Sequence, residues 1–154
     1  VDEALAAKEI DTLARYDNIV REVKIGSKSR IDFVLSNNVE QCFVEVKSVT
    51  LQGENGIGMF PDTVSERASR HVKELMAIKQ QGHRAVLFFC VQHSGIKVVC
   101  PADEIDTGYG ELVRQAITEG VEVLVYSCEL SVDEIKLTSP LPWFGSLKEA
   151  QYAN

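Results

Sequence analysis

With 154 residues, 45% hydrophobic and 25% charged, the chain has the size and make-up of one ordinary globular domain, able to bury a core without disulfides or a structural metal. Neither a membrane span of roughly 20 apolar residues nor the basic-then-apolar order of a signal peptide is present, so no membrane partner is expected. The net charge of −7 is uneven: residues 1–100 carry 13 acidic and 13 basic side chains, and residues 101–154 carry 10 and 3, which neither supports nor excludes a polyanionic partner.

Residues 2–15 predict a helix, with Asp2 as a plausible N-cap and Leu5, Ile10 and Leu13 as its apolar stripe. Three strands follow as a meander: 18–25, 30–35 (RIDFVL) and 42–49 (CFVEVKSV), separated by the turn clusters Gly26–Ser29 and Ser36–Asn38. Residues 50–61 read as a glycine-rich loop. From Asp62 the period becomes helical, with Asp62 or Thr63 as cap and a stop near Gly82. The continuous apolar run AVLFFCV at 85–91 predicts a strand buried on both faces. A helix over 109–118 and a strand over 121–126 complete the pattern, and the tail with Pro140, Pro142 and Trp143 reads as a wrapping segment.

This order, an α-β-β-β-α-β core with an α-β extension, describes an α/β domain over 1–154 with a mixed central sheet flanked by helices. Cys42, Cys90, Cys100 and Cys128 match no zinc or redox spacing, and three of them lie in apolar strands. They are expected as free, buried thiols, which points to a reducing compartment, most simply the cytoplasm.

Two features of the meander depart from ordinary strand chemistry. Asp32 is surrounded by apolar residues in Ile31-Asp32-Phe33-Val34, and a carboxylate there is costly unless paired or coordinated. A salt bridge from Arg30, two residues away on the same face, is one solution. In Phe43-Val44-Glu45-Val46-Lys47 the period of two sets Glu45 and Lys47 on one face, which an ordinary solvated strand face would also do. Together, however, Asp32 and Glu45 are able to meet across adjacent strands, and two carboxylates that close repel unless a cation holds them. Mg²⁺ or Mn²⁺ would suit this oxygen set, with the Val46 carbonyl as a third ligand and Lys47 directed toward an attacking water.

The pattern D-x12-E-x-K on a strand meander after a helix is that of the PD-(D/E)xK nucleases, although Ile31 stands where the name implies proline. The longer runs REVKIGSKSRIDFVL, FVEVKSVTL, MFPDTVSERASRHVKEL and GHRAVLFFCVQ, continuing to the PLP segment, closely resemble the sugar fermentation stimulation protein A family over roughly residues 3–142. The resemblance implies a restriction-endonuclease-like fold in a DNA-binding protein with a suspected regulatory role in sugar metabolism. It also implies an OB-like domain ahead of this region, so a chain starting at Val1 is expected to be part of something longer.

By position, the resemblance assigns the motif roles to Asp32, Glu45 and Lys47. Glu3 corresponds to an acidic residue on the first helix that supplies a further metal ligand in related nucleases; a first-turn Glu is equally explained by the helix dipole. Arg67 and His71, four apart on one helix face, and the locally basic Lys28, Arg30 and Arg70 are expected to contact nucleic acid, Arg67 at the scissile phosphate. His71 is disfavoured as a catalytic base, because Lys47 already fills that need. The expected function is metal-dependent phosphodiester hydrolysis on DNA or RNA. Its alternative is a non-catalytic DNA-binding or regulatory protein on a nuclease fold.

Overall fold

A computed structural model describes residues 1–132 and 135–153. In chain order the elements are α1 (Asp2–Ala6), a 3-10 turn (Asp11–Leu13), β1 (Asn18–Ile25), β2 (Ser29–Ser36), β3 (Gln41–Val49), β4 (Leu51–Gln52), a second 3-10 turn (Glu54–Gly56) and β5 (Ile57–Phe60). They continue with α2 (Glu66–Gln80), β6 (Arg84–Val91), β7 (Val98–Pro101), α3 (Thr107–Thr118), β8 (Glu122–Leu130), β9 (Ile135–Pro140) and α4 (Leu147–Ala153).

Six strands form the main sheet in the order β1-β2-β3-β6-β8-β9. The hairpins β1–β2 and β2–β3 are antiparallel, β3–β6 and β6–β8 are parallel, and β9 returns antiparallel to β8. The expected mixed sheet with helices on its faces is therefore present. Parallel neighbours need a crossover, and α2 and α3 supply the two. As expected, β6 is buried on both faces: Leu87, Phe89 and Val91 pack with Val72, Leu75 and Val113 of α2 and α3, while Val86, Phe88 and Cys90 pack with Leu5, Ile10 and Leu13 of the N-terminal segment. Each such large apolar side chain contributes about 1.5–3 kcal/mol by leaving water.

The helix expected over 2–15 is instead one short helix and a separate 3-10 turn. Lys8 adopts a left-handed backbone, φ 58°, and the Glu9 N–H donates to the Ala4 carbonyl, which ends α1 and redirects the chain. Leu5, Ile10 and Leu13 are still buried together, so the stripe was real but not one helix. Asp2 lies inside α1, with Val1 as N-cap, and pairs with Arg21 of β1. Arg84 is likewise structural: it holds Glu122 through two hydrogen bonds of 2.8 and 2.9 Å and donates to the Thr12 carbonyl and the Tyr16 hydroxyl.

The loop expected over 50–61 contains β4 and β5, which form a second sheet with β7 in the order β4-β5-β7. These strands run to only two to four residues, too short for a periodic pattern. The wrapping tail is also partly regular, since β9 ends at Pro140 and α4 follows. The cap of α2 is Ser65, whose Oγ accepts from the Ala68 N–H at 3.0 Å, not Asp62 or Thr63. Asp106 caps α3 by accepting from the Tyr109 N–H and also takes the Ser65 N–H, so one side chain ties together the starts of both helices.

Cys42, Cys90 and Cys100 are buried and Cys128 is half-buried, all as free thiols. Among the described residues no helix is long and apolar enough to cross a membrane.

Candidate metal centre on strands β2 and β3

The β2–β3 ladder runs from Ser36↔Gln41 to Phe33↔Val44. One step further the register would oppose Asp32 to Glu45, and there the backbone pairing stops. The Val46 N–H donates to the Asp32 carboxylate at 2.8 Å, so a side-chain oxygen replaces the carbonyl that the ladder would have offered. The other side of β2 is irregular at the same place: Arg21↔Phe33 and Val23↔Ile31 pair, but Glu22 between them has φ 51°. Meanwhile β3 stays paired to β6 from Cys42↔Arg84 to Val49↔Val91. The two strands thus part at Asp32, and β3 is held from its far side. In an extended strand a residue's N–H and C=O leave on the same edge, so the Val46 carbonyl belongs to the edge of β3 that its N–H turns toward Asp32.

Glu45 is buried, with 3% of its surface exposed. Its Oε1 lies 3.9 Å from Lys47 Nζ and 3.6 Å from His71 Nδ1, while Oε2 is buried with no hydrogen-bond partner. Burial, then the neighbouring Asp32 carboxylate, push the Glu45 pKa up to about 8 against the pull of Lys47 and Arg67. Without a cation, burial and the second carboxylate thus favour the protonated form of Glu45. Burial also lowers the Lys47 pKa, opposed by the charges of Glu45 and Asp32.

His71 lies on the buried stripe of α2 with Ala68, Val72 and Leu75, and its Nδ1 is 2.9 Å from Lys47 Nζ. Burial first, then the charges of Lys47, Arg67 and Arg70, hold its pKa down to about 4. The ring is neutral at physiological pH.

The structure brings Asp32, Glu45, Val46, Lys47 and His71 together and sets Arg67 close enough for its charge to act on Glu45, Lys47 and His71. His71, 2% exposed, is not a surface contact for nucleic acid as the sequence suggested; its neighbour is Lys47. Arg67 and Arg70 are exposed on α2, Arg70 anchored by donating to Ser29 Oγ at 3.1 Å. Lys28 and Arg30 are exposed at the start of β2. The salt bridge considered between Arg30 and Asp32 is not formed among the described residues, where Asp32 has the Val46 N–H instead.

Glu3 stands apart. It belongs to α1, whose buried residues Ala4 and Leu5 pack on the opposite face of the sheet, and it lines a concavity of about 780 Å³ with Lys136 and Leu137. Among the described residues no three His, Cys, Asp or Glu side chains gather as a metal site. The oxygen set is thus two carboxylates and one carbonyl. That set fits a hard cation that keeps several waters.

One neighbour escaped sequence reasoning. Tyr109 of α3 is fully buried, its hydroxyl has no partner, and burial, then Asp106 and Glu45, raise its pKa. The sequence marked it only as the start of the helix over 109–118.

The family model of the sugar fermentation stimulation protein RE domain, SfsA, matches residues 1–134. The chain belongs to the SfsA family. Among curated relatives, the sugar fermentation stimulation protein homologue of Teredinibacter turnerae is 52% identical over 143 residues, covering 92% of this chain and 61% of that protein. Its counterpart in Shewanella loihica is 51% identical over 142 residues, covering 91% and 60%. The chain therefore spans about three fifths of the length of these SfsA relatives. The solved structure of Pyrococcus furiosus SfsA in complex with Ca²⁺ matches with a TM-score of 0.84 at 28% identity, over 92% of this chain and 61% of that one. The match agrees with the α/β, nuclease-like architecture.

Proposed function

We propose that this domain hydrolyses phosphodiester bonds in nucleic acid, DNA or RNA, with a divalent cation held by Asp32, Glu45 and the Val46 carbonyl. The observation that carries the reading is the meeting of two carboxylates at a buried position: Glu45, 3% exposed, lies beside Asp32. A binding protein that works by basic surface alone has no use for such a pair. The Ca²⁺ of the Pyrococcus furiosus relative adds support, since Ca²⁺ and Mg²⁺ both seek oxygen ligands.

Mg²⁺ or Mn²⁺, when bound, supplies charge neutralisation at the phosphate and a lower pKa for the attacking water. The protein's own residues do the rest. Asp32 keeps its carboxylate in the gap through the Val46 N–H. Lys47, mostly buried at the mouth of the pair, orients the water and offsets charge on the phosphorus. Arg67 grips a non-bridging oxygen, for which its planar fork is suited. Lys28, Arg30 and Arg70 attract the backbone.

The test compares cleavage of plasmid, single-stranded DNA, RNA and a small phosphodiester in Mg²⁺, Mn²⁺ and excess EDTA, with Asp32→Asn and Lys47→Ala as controls. Cleavage that survives EDTA refutes the reading. Nucleic-acid binding with no cleavage of any substrate favours the non-catalytic alternative.

A further inference from the structure

We infer that His71 is a positioning residue for Lys47: its Nδ1 lone pair accepts a hydrogen bond from the Lys47 ammonium and fixes Nζ beside the Asp32–Glu45 pair. The inference deepens the nuclease reading and rests on it for its catalytic consequence. Lys47 has a long, flexible side chain, and among the described residues its one partner within hydrogen-bond distance is His71 Nδ1, at 2.9 Å. Glu45 Oε1, at 3.9 Å, attracts the ammonium but is too far to orient it. Without His71 the amine would be drawn to the carboxylates or would swing into solvent.

The fold makes His71 a rigid acceptor. Its ring has two torsions and is 2% exposed, seated on α2 between Ala68 and Leu75 in the stripe that packs on the sheet. β3 is immobilised from the other side by β6, with Lys47 opposite Phe89. Imidazole chemistry also suits the place. A carboxylate acceptor would add a further negative charge beside Asp32 and Glu45, whereas a neutral ring accepts the bond without one. Since an ammonium only donates, Nδ1 is the bare nitrogen and the ring proton sits on Nε2. Because Nδ1 is engaged, His71 is not available as a general base through that atom, and its burial keeps it from the surface where phosphate would bind.

The test has two arms, both on the 154-residue chain with Mg²⁺. Long-range ¹H–¹⁵N correlation spectra should show His71 as the Nε2–H tautomer, and its Nδ1 resonance should move when Lys47→Met removes the donor. An Nδ1-protonated ring, or an Nδ1 signal that ignores Lys47→Met, overturns the inference whether or not the protein cleaves anything. In the second arm, His71→Leu should lower kcat by about tenfold or more, below the roughly 10²–10⁴ of a full general acid–base effect because His71 acts only through Lys47, with KM little changed. His71→Asn, whose Oδ1 stands near the place of Nδ1, should recover most of that rate. In the Lys47→Met background His71→Leu should cost nothing further, because the two act as one unit. Losses that multiply, or no rescue by Asn, overturn the positioning role. A wild-type chain that cleaves nothing overturns the nuclease reading and the catalytic role of His71 with it, while the spectra still report the contact.

Discussion

Glu45 gives the fold an unusual dependence on pH. Its pKa stands at about 8 in the folded chain against an ordinary 4.5, so between these values the folded state holds a proton that the unfolded state has lost. A raised folded pKa contributes stability that is complete below the unfolded value and is lost as pH rises through the folded one. The slope is about 1.4 kcal/mol per pH unit. His71 acts in the opposite sense: its pKa is held down to about 4 from 6.5, so its contribution is complete above pH 6.5 and is lost as pH falls toward 4. The two partly cancel below pH 6.5, and Glu45 dominates this pair from there to pH 8, where it removes about 2 kcal/mol.

Glu45→Gln isolates the effect, since Gln is close to the protonated carboxyl in shape and cannot ionise. In EDTA and reductant the mutant should already be the more stable of the two at pH 6.5 by urea unfolding, because the unfolded wild-type chain has lost its Glu45 proton there. From pH 6.5 to pH 8.5 that advantage should widen by about 2 kcal/mol, equivalent to about 4–8 °C in Tm for a domain of this size. Cys90, lowered to about 7 by its hydrogen bond with Cys128, titrates in the same window, but it is present in both proteins and drops out of the comparison. Adding Mg²⁺ at pH 8.5 should stabilise the wild type and leave the mutant nearly unchanged, because the cation takes the place of the proton. Unfolding curves that stay parallel across this pH range would show that Glu45 is ionised and satisfied in the folded chain, and the cation site would lose its physical basis.

Three other outcomes follow from the same geometry. Lys47→Ala should reduce cleavage by at least about tenfold while the melting curve stays cooperative, checked by initial rates and circular dichroism on one preparation. Asp32→Asn keeps an oxygen for the Val46 N–H and removes one charge of the pair, so it should melt at or above wild type in EDTA. It should also lose most of the metal response, which is about 1.4 kcal/mol for a Kd near ~1 mM at ~10 mM Mg²⁺; strong destabilisation without metal would make Asp32 a structural residue. Duplex DNA binding should show a log–log salt slope of about −3 to −4, at about 0.9 per phosphate contact, because Arg21 and Arg84 are held in ion pairs and leave chiefly Lys28, Arg30, Arg67 and Arg70. A slope of −8 or steeper would refute that count.

What the sequence disclosed depended on how local the determining contact was. Glu45 and Lys47 were legible because a strand's period of two is a property of the strand itself, and Asp32 because a charge among apolar neighbours needs a reason wherever the strand packs. β6 announced its double burial by composition. The break in the N-terminal helix rests on one left-handed residue, Lys8, which no propensity for Lys foretells. His71 was misplaced for a subtler reason. Its spacing from Arg67 suggested one shared face, yet it also belongs to the stripe of Ala68, Val72 and Leu75, and only the packing of α2 on the sheet decides that it points inward to Lys47. Glu3 was assigned by the position of its helix in the chain, whereas its helix packs on the far side of the sheet.

The centre and the edge of the ladder are one feature. An uninterrupted β2–β3 pairing would satisfy the Val46 N–H and C=O with the backbone of β2 and leave no oxygen for a ligand. Because Asp32 answers the N–H with its side chain, β2 is free to turn away, and the gap that opens is lined by two carboxylates and a carbonyl. The other edge of β3 is locked to β6 through Val49↔Val91, so Glu45 and Lys47 sit on a strand instead of a loop and keep their spacing. The repulsion within the pair is held in check by the proton on Glu45, and a divalent cation relieves the same repulsion more completely. On the proposed reading, the hydrogen bond that ends the hairpin also prepares the cation site, so lengthening the β2–β3 ladder should abolish metal binding even with every side chain retained.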